Sequence, residues 1–144
     1  MAVNRDHNGF HSQHQLQLAT AVLLIEVARS DHDIDPRERT RIVDTIQKRF
    51  NLTPHETRKL VELATTESAE LTSYYEFSSL VNKRFAYDEK INLLELMWLV
   101  ALTDGHLDKY EEHLIRKIAN LIYIKREDIV LAKHRAMASL KDSG

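Results

Sequence analysis

The sequence predicts an all-α, single-domain bundle with an internal pseudo-twofold helix-turn-helix repeat, and three observations predict it. The 144 residues are 43% hydrophobic and 29% charged with only three Gly and two Pro, which suits long helices and short joints rather than a turn-rich sheet or a disordered chain. Two segments, Leu18 to Ala28 and Ile91 to Leu102, are apolar around almost the whole helical circumference, as helices at the centre of a bundle are. Each is followed by the same acidic pattern, Asp-x-x-(Ile/Leu)-Asp-x-x-Glu, at Asp31–Glu38 and again at Asp104–Glu111.

In chain order, residues 1–12 lack apolar period and read as a flexible tail, although His7, His11 and His14 have a spacing that would suit a metal on a helix. The domain is expected over residues 13–140, with 141–144 fraying. The first central helix runs from about Gln13 to Ser30, and Glu26 within it needs a polar partner or the solvent. Asp35, Pro36 and Glu38 fit N-cap, N1 and N3 of a second helix ending near Phe50, with Ile42, Val43, Ile46 and Phe50 inward. Thr53, Pro54 and Glu56 repeat that start for a helix to about Thr65, which buries Leu60, Val61 and either Leu63 or Ala64.

Residues 65–75 are the least periodic internal stretch and read as a loop or short helix. Phe77, Leu80, Val81 and Phe85 share one helical face, and Asp88 reads as the N-cap of the second central helix. Beyond the second acidic joint, Leu114, Ile115, Ile118, Leu121 and Ile122 form a stripe. A last helix from about Arg126 offers Ile129, Val130, Ala132, Ala136 and Leu140.

A shift of 73 residues superposes Leu23 on Leu96, Leu24 on Met97, Val27 on Val100, Ala28 on Ala101 and Ile42 on Ile115, together with the three acids of each joint. By Leu52 and Ile124 the shift is 72, as if one residue were lost in the loop.

Twenty basic against twenty-two acidic residues give a net charge of −2, so no broad positive field exists to hold nucleic acid by its phosphates. With no cysteine there is no disulfide, thiolate nucleophile or thiolate-bound zinc. The polar start has no signal-peptide core, and Leu93 to Leu102 falls short of the ~20 residues that span a bilayer. A cytoplasmic protein without membrane insertion is expected.

The acids of the joints carry the candidate chemistry. Caps explain Asp35, Glu38, Asp108 and Glu111, but Asp31 and Asp104 lie at the negative pole of the preceding helix, which is unfavourable by ~0.3–1 kcal/mol. Hydrogen bonds to the turn or pairing with Arg29, Arg37, Arg39 or Lys109 would compensate. So would a hard divalent cation, Ca2+ or Mg2+, held by Asp31, Asp33, Asp35 and Glu38 or by Asp104, His106, Asp108 and Glu111, where an imidazole replaces one acid. An EF-hand is excluded, since counting from Asp31 its positions 6 and 12 hold Pro36 and Ile42 instead of Gly and Glu. The sequence has no Gly-rich phosphate cradle, no Gly-x-Ser-x-Gly and no His-Glu-x-x-His, and none of its eight histidines has Glu three residues before it, as a di-iron bundle requires.

Residues Leu24–Asp31 with Ile34–Arg39, and Val100–Asp108 with Glu111–Leu114, give the chain a resemblance to the TerB family, the tellurite-resistance TerB-like domains that include the N-terminal region of DjlA-type co-chaperones. The second copy matches Ala-x-x-Asp-Gly-x-(Leu/Ile/Val)-Asp-x-x-Glu throughout, whereas the first has His32 where Gly is usual. The resemblance spans about Gln13 to Met137. It implies a bundle of about seven helices, a link to stress response, and protein partners among membrane-associated or chaperone components. It also implies metal-binding joints at Asp31, Asp35, Glu38, Asp104, Asp108 and Glu111, and no catalytic activity. The expected function is therefore that of a free-standing, non-catalytic binding or adaptor domain. Its rivals are an enzyme, such as a hydrolase, using the same carboxylates as acid and base, and a purely structural homodimerisation domain.

Overall fold

The computed structural model describes residues 2–29, 34, 36–70, 74–103, 105 and 107–143, with side chains between 14 and 142. Seven helices and no strand are found among the described residues. They are α1 (Ala2–Ala28), α2 (Pro36–Phe50), α3 (Pro54–Glu70), α4 (Tyr75–Arg84), α5 (Tyr87–Ala101), α6 (Lys109–Leu121) and α7 (Arg126–Ser143).

The two apolar helices are the ones that every other element packs on. From Ala19 to Ala28, Glu26 is the one side chain of α1 that is not buried, and α5 buries Leu93, Leu94, Met97, Trp98, Val100 and Ala101. α1 rests most extensively on α3 and α5 on α7, while α1 and α5 also pack on each other. Each large side chain so buried contributes roughly 1.5–3 kcal/mol relative to exposure. Thr20 sits in this wall at 2% exposure because its hydroxyl donates to the Leu16 carbonyl at 2.8 Å.

Several boundaries differ from the sequence reading. α1 begins at Ala2, where a loose tail was expected, because extending an established helix adds a hydrogen bond per residue without a new nucleus. α3 continues to Glu70, since residues 65–70 contain neither Gly nor Pro and the hydroxyls of Thr65 and Thr66 bond back to Val61 and Glu62. α7 likewise continues to Ser143. α5 is capped at Ala86, not Asp88, because Glu89 reaches back to accept from the Ala86 N–H at 2.8 Å. On α3 the choice falls to Ala64, with Leu63 left 40% exposed, and on α7 Val130 faces outward at 43%.

Matched positions of the two halves have matched environments in most cases. Leu24 and Met97, Val27 and Val100, Ala28 and Ala101, and Ile42 and Ile115 are all buried, whereas Leu23 is buried and Leu96 only half so. α2 and α6 end in the same turn. Asn51 and Tyr123 take positive φ, 52° and 61°, and the next N–H bonds six residues' span back, Leu52 to Gln47 and Ile124 to Ala119, each at 3.0 Å. This is the Schellman arrangement, in which a left-handed residue lets the chain leave the helix with its last carbonyls satisfied. The starts, Pro36 and Lys109, keep the shift of 73, while α2 has 15 residues and α6 has 13.

Leu24→Ala and Met97→Ala are expected to lower stability by about 2–5 kcal/mol each, against under about 1 kcal/mol for Leu63→Ala on the surface. Guanidinium denaturation of the three variants checks this. Equal losses at all three sites would contradict the assignment of the core.

Candidate functional site

Of the six candidate metal ligands, Asp31, Asp35 and Asp104 lie outside the described residues, so the structure speaks for Glu38, Asp108 and Glu111. Asp108 is the N-cap of α6, and its Oδ1 accepts from the Tyr110 N–H at 2.7 Å. The turn before it contains Gly105 at φ +80°, a conformation only Gly adopts without strain.

Four helices start with Glu at the third position, and they divide into two kinds. Glu56 is exposed and closes a capping box with Thr53, accepting from the Thr53 N–H at 2.9 Å while the Thr53 hydroxyl accepts from its own N–H at 3.1 Å. That backbone bond, with the Thr53 side chain, holds the Glu56 carboxyl below its ordinary range. Glu89 makes the same reach on α5. Glu38 and Glu111 are buried, only 3% and 2% exposed. A carboxylate at such depth costs several kcal/mol unless bonded or paired, and neither of the two lacks a partner. These two, in equivalent places behind the two joints, are what a capping pattern in sequence does not distinguish from Glu56.

The joints share one end of the bundle. Pro36, Arg37, Thr40, Arg41 and Asp44 of α2 line a groove of about 500 Å3 together with Thr103, the last described residue before the second joint. The first turn of α2 thus lies beside the end of α5. Among the described residues, no three His, Cys, Asp or Glu side chains come together as a metal would need. The remaining candidate ligands of the joints, Asp31, Asp33, Asp35, Asp104 and His106, lie outside the described residues. His7 and His11 lie outside the described side chains, and His14 is exposed at the edge of another groove.

Two further polar clusters stand apart from the joints, one meeting the need of Glu26 for polar partners and one absent from the sequence reading. Glu26, the single acid in the apolar part of α1, accepts from the Ser68 hydroxyl at 2.5 Å and from the Tyr74 hydroxyl at 3.3 Å, and Arg29 donates to Ser68 at 3.0 Å. Burial and then the Glu26 charge raise the Tyr74 phenol. This ties α1 to the end of α3 and the start of α4, just before the first joint. The only sequence signal for it was the lone acid itself.

The second cluster surrounds Trp98 of α5, which is fully buried. The Arg116 guanidinium and Lys133 ammonium stand 5.7 and 5.3 Å from its ring centre, and Glu112 pairs with both at 3.3 and 3.4 Å. Cations over a Trp face are attracted by its quadrupole, so α5, α6 and α7 are joined at one point.

A family model described as tellurite resistance protein TerB matches residues 17–134, which take in both joints and most of the helical bundle. The chain belongs to the TerB family. No curated protein and no solved structure gave a match. As a TerB-family bundle it has, among its described residues, no helix long and apolar enough to cross a membrane.

Burial alone would raise the Glu112 carboxyl, but the Arg116 hydrogen bond and the Lys133 charge outweigh it and hold the group below its usual 4.5. A depressed folded value means that Glu112 contributes stability above the unfolded value and loses it as pH falls through the folded one. The stability gap between wild type and Glu112→Gln should thus be present at neutral pH and close below about pH 4. With Glu112 a third exposed the gap should be small. Urea denaturation of both proteins across pH measures it, and a gap that widens in acid would contradict the pairing.

Proposed function

We propose that this TerB-family chain is a non-catalytic cytoplasmic binding or adaptor module whose two acidic joints take up a divalent cation, Ca2+ or Mg2+. On this reading it serves a stress response of the tellurite type by presenting that end of the bundle to a protein partner. The observation that carries the reading is the burial of Glu38 and Glu111. Two carboxylates desolvated at equivalent positions, each one turn behind an aspartate-rich joint, offer oxygen donors of the kind hard cations prefer. Their neighbours Asp31, Asp35, Asp104 and Asp108 would complete each set, and Asp108 retains acceptor capacity beyond its capping bond. The chemistry a cation would supply is electrostatic and structural: it would neutralise the joint and fix the angle between the helices it joins.

Calorimetric titration with Ca2+, Mg2+, Mn2+ and Zn2+ tests the reading. Binding of Ca2+ or Mg2+ by the wild type is expected, with at least a tenfold weakening in Asp104→Ala and in Glu111→Gln. Silence toward all four ions would overturn the cation reading, and turnover in a general hydrolase screen that is lost in Asp104→Ala would favour the enzymatic alternative.

A further inference from the structure

α7 buries one side and exposes a second that is equally patterned. Ile129, Ala132 and Ala136 face α5, its main neighbour. On the other side Glu127, Val130, His134, Met137 and Lys141 are all exposed and follow one another at intervals of three and four residues, with Leu131 and Ala138 exposed beside them. Val130, Leu131 and Met137 are 43%, 45% and 50% exposed. Single apolar residues on a surface need no explanation, but a three-four spacing along one seam is the pattern by which one helix packs against another.

The charges at its ends choose the occupant. The seam begins in an acid and ends in a base, so a second α7 running antiparallel sets Glu127 against Lys141 of the second copy at both ends. Just outside, Arg126 would meet Asp142 in the same way. A parallel second copy would set Glu127 on Glu127 and Lys141 on Lys141. Antiparallel pairing about His134 also brings Val130 to Ala138 and Leu131 to Met137, apolar to apolar, as an isologous twofold contact requires.

We propose that a second copy of this chain docks on the exposed face of α7, antiparallel about a twofold axis at His134, to form a homodimer. The contact stands apart from the acidic joints and does not depend on their binding a cation. Fifteen residues of seam, from 127 to 141, measure roughly 21 Å at about 1.5 Å per residue. A contact made by one helix of that length from each copy is small, so the dimer should dissociate on dilution through the micromolar range.

The native chain has no cysteine, so single introduced thiols report on the geometry directly. In the full chain, His134→Cys should cross-link to a covalent dimer under mild oxidation, at least tenfold faster than Arg135→Cys one position round the helix. Glu127→Cys and Lys141→Cys should each stay monomeric alone and cross-link when mixed. Sedimentation of Met137→Glu should show dimer dissociation at least tenfold stronger than wild type, with helical content by circular dichroism unchanged. Self-cross-linking of Glu127→Cys and Lys141→Cys separately would overturn the antiparallel arrangement. No advantage of position 134 over 135, or a wild-type mass that stays monomeric through the millimolar range, would overturn the dimer.

Discussion

The contact of α1 with α5 is the constraint from which the remaining structure follows. Two helices that are apolar nearly all round cannot lie on a surface, so they must be enclosed, and the others have to supply the enclosure. α2, α3 and α4 cover α1, while α6 and α7 cover α5. The first turn of α2 lies beside the end of α5, where Pro36, Arg37 and Thr103 line one groove.

Polar groups that the core cannot avoid are handled locally. Thr20 and Thr57 return their hydroxyls to carbonyls one turn back, Glu26 is met by two hydroxyls from neighbouring helices, and Glu112 balances two cations that also cover Trp98. Glu38 and Glu111 stand out in this company because they carry full carboxylates to 3% and 2% exposure in the first turn of a helix. The helix N-terminus favours a negative charge there, which makes that turn the least costly place in a helix to bury an acid.

The fold was largely legible in the sequence because helical period and capping chemistry are local signals. Asp108 capping α6 and Thr53 with Glu56 opening α3 are found as read. What was misplaced depended on non-local facts. α1 begins at Ala2, ahead of the apolar stretch that signals it. The outward face of Val130 is set by where α5 lies, not by residues adjacent in sequence. At the candidate site the acids were visible, but Glu38 and Glu56 share the cap-Pro-x-Glu pattern, and only the packing around them separates a buried acid from an exposed one. The partners of Glu26, more than forty residues away, left no trace that a pattern search could use.

The account rests on α1 and α5 being the last elements to open. Native-state hydrogen exchange on the intact chain tests this most directly, since amides that open only on global unfolding exchange slowest. The account predicts that the slowest amides fall within residues 19–28 and 93–101 and share one opening free energy. Slowest exchange in α3 or α7, with either central helix opening earlier and independently, would contradict it.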